Sequence, residues 1–479
     1  MARTLVINPP FMEPHRPPIS CAIISEVARL EGHEVDLLDI NIDLFNRVGN
    51  TKFIDLQTEY LFGNDPHAKE YVQKYVTVKL HKQLEENFYD WILVSCFSDW
   101  EFPITELICK ELKSTSDAVV VGGGPGLEKK GMQLVSNGSL DYHISGEGEI
   151  ALKELFRGNI GYPGINGTSA VQIDDIEDLP LPNYDFFDFN KYDWLKEDPD
   201  VFIYGSRGCV RKCTFCDIET YWPKFRYRSG KSIANEMIAN YEKYGVTNFY
   251  FADSLINGNL KEFKELLDIL SSYKHVDKFS WGGYAIIRPK NQHPAELFDQ
   301  MRDAGCKFMS IGLETGVDRI RHDMQKKFTN EDVDWHLHHA QRTGIQNVFL
   351  MITSWFDETP EEHEEYLKIF PRWQHYAADR TISAIMINPP LVMLPGTRLA
   401  AQETYSFEID QNREDVTPAV KSITWINPKM PELSVVERYT RQRNIILEAL
   451  KYNWNVHNPQ TKLNEIISVL TSYRDAINK

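Results

Sequence analysis

The sequence predicts an α/β protein: an N-terminal doubly wound parallel-sheet domain, then a partial (β/α)6 barrel, then a helical C-terminal region. Three observations carry that reading. Short apolar runs alternate with stretches of helical periodicity from Arg3 to Phe156 and again from Val201 to Ile387, as strands joined by helical crossovers do. Between the two series lies a loop-like passage, Gly161 to Asn190, whose repeated prolines end helices and favour extended backbone. Beyond Leu394-Pro395-Gly396-Thr397 the alternation stops and helical periodicity alone remains. The expected boundaries are 1–160 for the sheet domain, 161–198 for the linker, 199–400 for the barrel and 401–479 for the helical region.

A chain of 479 residues, 42% hydrophobic and 12% aromatic, has the mass for two or three cores. Its formal charge of -17 argues against a general nucleic-acid binder, which gains affinity by displacing counterions with Lys and Arg. No apolar run approaches the ~20 residues of a bilayer span. Met1 to Pro10 lacks the pattern of a secretory leader, so a cytoplasmic protein without a membrane span is expected. Seven cysteines at this length are no disulfide framework. Cys21, Cys96, Cys109 and Cys306 stand singly in apolar or helical contexts and read as small buried residues.

In the first third, Arg3 to Asn8 reads as a strand ending at Pro9-Pro10, Ser20 to Glu31 as a helix closed by Gly32, and His33 to Ile40 as a second strand. Residues 50–88 look like a helical insertion. Trp91 to Phe97 follows as a buried strand, then a helix from Thr105 to Leu112, a strand from Ala118 to Val121, another from Asp141 to Ser145, and a helix from Glu149 to Phe156. Ligands of such sheets lie beyond the carboxyl ends of the strands. Those ends carry Ser95 and Ser98, then Gly122-Gly123-Gly124-Pro125-Gly126, then Gly146-Glu147-Gly148-Glu149. Glycines there suit close backbone approach to a ligand, and equally a tight turn. Asp141-Tyr142-His143-Ile144-Ser145-Gly146 fits the pattern D-x-H-x-x-G, but on the fifth strand instead of the loop after the first. His143 is therefore read as one step of a strand. Asp65-Pro66-His67 is likewise out of place, and His15 alone lies in the loop after strand one.

In the second series, strands are expected at Val201 to Tyr204, Asn248 to Ala252, Phe279 to Ile287, Phe308 to Leu313, Asn347 to Thr353 and Thr381 to Ile387. Helices fall between them at Lys231 to Lys243, Lys261 to Ser271, Pro294 to Ala304, Asn330 to Thr343 and Pro360 to Tyr376. Leu433 to Lys451 and Thr461 to Asn478 are helical and expected to cover the open flank of the barrel.

The first of those strands leads into Cys209, Cys213 and Cys216, spaced C-x3-C-x2-C. Zinc in a structural site wants four ligands, and no cysteine or histidine follows between Asp217 and Gly230. A [4Fe-4S] cluster held by three cysteines leaves one iron open to a substrate. The spacing favours the cluster, with a zinc-stabilised, non-catalytic binding module as the alternative.

These residues resemble the radical S-adenosylmethionine (radical SAM) signature, Phe215 standing before the last cysteine. Pro9-Pro10, the Ser95/Ser98 pair, the GGGPG run, DYHISGEGE and DLPLPNYDFFD resemble the Rossmann-like cobalamin-binding domain and bridge found ahead of the TIM-like radical SAM barrel in class B methyltransferases. The resemblance implies that Ser95, Ser98, Gly122, Gly123 and Gly124 line a pocket for the nucleotide tail of cobalamin. It implies that Phe215 meets adenine, that Asp253 and Ser254 after the second barrel strand hold the amino group of SAM, and that Glu314 and Thr315 after the fourth meet its ribose or amino-acid part. Tyr284 and Arg288 would face the same mouth as catalytic residues, although Arg288 also reads as a loop cation. Met324-Gln325-Lys326-Lys327 matches a family word, yet lysines on a helix are usually solvated. Ser354 to Pro360 departs from the family, with bulky Trp355 and Phe356 where small residues are usual; they would narrow the cavity or stack on a flat ligand.

The function implied is reductive cleavage of SAM to a 5'-deoxyadenosyl radical and cobalamin-dependent methylation of an unactivated carbon of a small-molecule or peptide substrate. Flavodoxin or ferredoxin would serve as electron donor. A radical enzyme of rearrangement, epimerisation or oxidation, without methyl transfer, is the second reading.

Overall fold

The computed structural model describes the chain except residues 62–64, 99–100, 168–169, 193–199, 414–415, 417 and 479 and the side chains of 61, 418 and 419. The last part of the expected linker thus lies outside the described residues. Compactness separates two units, Met1–Ile203 with Asn235–Phe249, and Tyr204–Ala234 with Tyr250–Lys479.

The first unit holds β1 (Arg3–Asn8), α1 (Ile19–Leu30), β2 (Glu34–Asp39), α2 (Ile40–Val48), α3 (Asn50–Leu61), α4 (Pro66–Glu86), β3 (Trp91–Ser95), α5 (Phe102–Thr115), β4 (Val119–Gly123), α6 (Gly131–Ser136), β5 (Tyr142–Ile144) and α7 (Gly148–Phe156). Its five strands run in the order β2-β1-β3-β4-β5, and every neighbouring pair is parallel. This is the doubly wound sheet the sequence predicts, with β1 and β3 side by side at the switch in strand order. The insertion at 50–88 is the helix pair α3 and α4. Asp65 accepts the His67 N–H at 2.9 Å and Pro66 follows it, so Asp65-Pro66-His67 is a helix start.

The second series begins at β6 (Asp200–Ile203) and continues with β7 (Ser206–Arg207), α8 (Ile218–Tyr221), β8 (Arg226–Tyr227), α9 (Gly230–Tyr244), β9 (Asn248–Phe251), α10 (Leu260–Ser271), β10 (Ser280–Ala285), α11 (Ala295–Asp303), β11 (Cys306–Glu314), α12 (Asp318–Asp323), α13 (Asn330–Thr343) and β12 (Gln346–Thr353). After it come α14 (Pro360–Leu367), α15 (Ile369–Arg372), α16 (Gln374–Ala378) and β13 (Ile382–Pro390). The sheet order is β13-β12-β11-β10-β9-β6, the sequential order of a partial barrel, and β10 to β13 pair in parallel. Trp281, Phe349, Met351, Ile385 and Ile387 are buried. Along β12 these buried positions alternate with half-buried Val348, Leu350 and Ile352, as the period of two requires.

One expected element changes. The helix read as Pro360 to Tyr376 is three short helices, α14 to α16, because turns at Lys368 and Trp373 interrupt it. The C-terminal part has α17 (Arg398–Gln402), β14 (Ser406–Phe407), α18 (Pro418–Ile423), β15 (Trp425–Ile426), α19 (Val435–Lys451) and α20 (Pro459–Ile477). Within the second unit α19 packs against β12, β13 and α14, as expected of a cover for the flank.

Candidate active site

The cysteine loop hangs from the antiparallel pair β7–β8. Gly208, at φ 81°, opens it, and a Cβ there would lie 2.5 Å from the Lys224 carbonyl oxygen. The root is pinned from two sides. Arg228, fully buried, donates its Nη1 to the Tyr204 carbonyl at 2.8 Å and its backbone N–H to the Gly205 carbonyl at 2.7 Å. Asp253, after β9, accepts the Gly205 N–H at 2.8 Å and the Ser206 hydroxyl. Burial pushes the Asp253 carboxyl up to about 7, against the pull of those hydrogen bonds.

The far part of the loop is tied down as well. Thr214 donates its N–H to Met324 O and its hydroxyl to Asp323 O, both at 3.3 Å, and its carbonyl accepts the Leu399 N–H at 2.7 Å. The Phe215 ring stands edge-on to Trp355, centroids 6.1 Å apart. Cys209, Cys213 and Cys216 are half-buried and form no disulfide. Burial pushes all three thiols up, Cys216 to about 11, while the charges of Lys326 and Arg211 oppose this at Cys209 and Cys213. Among the described residues no three His, Cys, Asp or Glu side chains gather around one point as a single ion would require. The donor set fits a polynuclear cluster better, since its irons spread the thiolates apart and three cysteines leave one iron free.

Lys326 corrects the sequence reading. It is not a solvated helix lysine: the side chain is 10% exposed, and Nζ donates to Glu314 Oε1 at 2.7 Å. Gln325 and Lys327 flank it with positive φ of 62° and 58°, so the chain has left the α12 helix and turned. No periodicity announces such a turn.

Of the other expected residues, Ser254 is half-buried and Thr315 buried, its Oγ1 accepting the Val317 N–H at 3.2 Å. Tyr284 is 41% exposed near the end of β10. Arg288 donates to the carbonyls of Asn257 and Gly258 and to Gln292, the work of a loop cation. Asp253, Tyr284 and Glu314 come from the carboxyl ends of successive strands, where barrel chemistry lies. Trp355 and Phe356 are both buried. Phe356 stacks on Trp425, so the two rings serve as walls. Sequence reasoning missed Arg228 and the buried pair Glu358 and Arg441, 3.2 Å apart, which ties the loop after β12 to α19.

In the first unit, Ser95 is buried with its hydroxyl 3.0 Å from that of Ser20. The Ser98 hydroxyl donates to Glu101 at 3.3 Å, and Glu101 also accepts the Phe97 N–H at 2.8 Å; burial pushes its carboxyl up to about 7. Gly124, at φ 104°, leaves a Cβ position 2.3 Å from the Cys96 carbonyl oxygen, and a Cβ on Gly122 would lie 2.8 Å from Leu127 and Leu140. These two are glycines for packing, whatever else they meet. A Cβ on Gly123 would have ordinary contacts at 3.6 Å. His143 is fully buried within β5, and a Cβ on Gly131 would fall 2.2 Å from its ring. It is a strand residue, as its position predicts.

The protein comparisons agree with this geometry. Residues 203–370 match the model of the Radical SAM superfamily. An uncharacterized methyltransferase of Pyrococcus horikoshii is 23% identical over 403 residues, 80% of this chain and 77% of the relative. The cytidylyl-2-hydroxyethylphosphonate methyltransferase of Streptomyces wedmorensis is 23% identical over 368 residues, 67% of this chain and 65% of that protein. Among solved structures, the radical SAM methyltransferase TsrM of Kitasatospora setae, with cobalamin and a [4Fe-4S] cluster bound, superposes with a TM-score of 0.66 at 15% identity, covering 100% of both chains. The cobalamin-dependent radical SAM enzyme OxsB, with aqua-cobalamin bound, gives 0.60 at 16% identity over 83% of this chain and 54% of that one. Residues 203–370, which carry the cysteine loop, thus form a radical SAM domain. The chain's fold is similar to that of TsrM.

Proposed function

We propose that this radical SAM enzyme is a cobalamin-dependent methyltransferase acting on an unactivated carbon of a small organic or peptide substrate. The observation that carries the reading is the three-cysteine loop that follows the first strand of the barrel series, Cys209, Cys213 and Cys216 standing half-buried and unbridged. When bound, the cluster would supply the electron that cleaves SAM, and cobalamin would carry the methyl group.

The chain's own part is positioning. Cys209, Cys213 and Cys216 would hold the cluster, fastened at the root by Asp253 and Arg228 and at the far end by Thr214. Phe215, Ser254, Glu314 and Thr315 would surround SAM, and Asp253 would act by fixing the loop. Tyr284 would meet the substrate, while Arg288 shapes the mouth through the carbonyls it binds. Ser95, Ser98 and Gly122 to Gly124 would border the nucleotide tail of cobalamin. Buried Trp355, braced on Phe215, would help exclude water from the reacting groups. A low-potential one-electron protein such as flavodoxin or ferredoxin would be the donor. The proposed organisation is a cobalamin-binding domain over 1–160, a linker over 161–198, a radical SAM domain over 199–400 and a helical cover over 401–479. Among the described residues no helix is long and apolar enough to cross a membrane.

Anaerobic reconstitution with iron, sulfide and hydroxocobalamin tests both cofactors, since cluster and corrin absorb differently. Turnover with methyl-labelled SAM then decides the reaction. Label in the product is expected; product formed without label would make this a radical enzyme of another kind.

A further inference from the structure

We infer that Lys326 tunes the electron affinity of the cysteine-loop site, its buried ammonium acting as a fixed positive charge that makes a cluster there easier to reduce. The inference rests on the reading of Cys209, Cys213 and Cys216 as cluster ligands.

The geometry is that of a built device. A buried ammonium is kept inside only when it is paired, and Lys326 is paired with Glu314. Lys326 leaves α12 on a turn with left-handed residues on both sides, Gln325 and Lys327. That same turn binds the cysteine loop, because Met324 O and Asp323 O accept the two hydrogen bonds of Thr214. The loop and the charge are therefore set by one segment. At the other end, Glu314 holds Nζ at 2.7 Å over β11. A Cβ on Gly312 would fall 2.2 Å from the Glu314 Oε1 and 2.6 Å from the Lys326 Nζ, so the absence of a side chain at 312 makes the space for the pair. Nζ also lies 5.9 Å from the centre of the Phe215 ring, next to Cys216.

Reduction brings one electron from an external low-potential donor onto a site already bearing three thiolates, and no bond forms or breaks in that step. A nearby positive charge lowers the energy of the reduced form, and a buried charge is screened little by salt.

The test is an EPR-monitored redox titration, without SAM, of the full chain reconstituted anaerobically with iron and sulfide. K326M is expected to show a reduced-to-oxidised ratio roughly tenfold lower at the potential that half-reduces the parent, a midpoint shift of about 59 mV for a one-electron couple. K326R should stay near the parent. E314Q, which leaves the lysine in place and removes the opposing charge, should shift the other way. Equal midpoints for parent and K326M at equal iron content, or shifts of one sign in K326M and E314Q, would overturn the inference. If K326M holds no cluster, an E314Q midpoint that does not rise overturns it instead. A parent that takes up no iron and sulfide overturns the cluster reading and this inference with it.

Discussion

The carboxylate of Asp253 accepts the backbone N–H of Gly205 at 2.8 Å, so a residue beyond the second barrel strand holds the chain at the root of the cysteine loop. A buried N–H left without an acceptor costs ~1–3 kcal/mol. Asp253→Ala should lose about that much stability in chemical denaturation and take up less iron on reconstitution. Asp253→Asn, which keeps one acceptor oxygen, should lose less.

The same carboxyl gives a pH dependence. Its folded value of about 7 lies above the ordinary 3.8. Between about pH 4 and 7 the unfolded chain releases this proton first, so the group's contribution is complete at low pH and is lost as pH rises through the window. The stability of Asp253→Asn relative to the parent should therefore climb from pH 4 to 7 and level off above it, as read from denaturant midpoints.

Arg441 and Glu358 are 2% and 1% exposed, and the guanidinium also donates to the Glu358 carbonyl at 2.7 Å. Removing one partner of a buried pair strands the other charge, at a cost of ~3–5 kcal/mol. Arg441→Met should lower the unfolding free energy read from denaturant titration by an amount in that range, and the double variant Arg441→Met with Glu358→Gln should recover part of it. A double variant no better than the single one would show that the loss is packing alone.

The strand ladders were legible because parallel strands buried on both faces are written as apolar runs, such as Trp91 to Ser95. The cysteine spacing was legible because it is local. Lys326 was not, since its neighbours Glu314 and Phe215 are 12 and 111 residues away and its turn carries no glycine or proline to mark it. Asp253 was legible as a site residue but not in its role, because its hydrogen-bond partners lie 48 and 47 residues earlier. The continuous helix expected from Pro360 failed where Pro371, inside α15, removes a backbone donor.

His143 has both ring nitrogens buried without a hydrogen-bond partner. Replacing such a group by an apolar one of similar volume is near neutral or stabilising. His143→Leu should keep or raise the thermal midpoint and leave the corrin spectrum of the reconstituted protein unchanged. Loss of corrin uptake at full stability would give this histidine a ligand's role that its place in β5 argues against.

His293 and His336 lie together against Phe298 in the helix layer of the barrel, and His293 stacks on that ring at 4.2 Å. Burial holds His293 at about 3 and His336 at about 4, well below 6.5. The charges facing them reinforce this, since His293 meets His336, Arg288 and His339, and His336 meets His339; only the hydrogen bond that His336 Nε2 donates to Asn347 Oδ1 pulls the other way. Both rings are therefore neutral in the folded chain while the unfolded chain takes up protons. Their stability contribution is complete above pH 6.5 and is lost as pH falls towards 4 and then 3, with a slope of at most ~1.4 kcal/mol per pH unit for each ring. His293→Phe preserves an aromatic face on Phe298 and removes one of the two protons. Its denaturation midpoint should fall less steeply than the parent's between pH 6.5 and 4, and parallel curves over that range would remove His293 from the account of acid sensitivity.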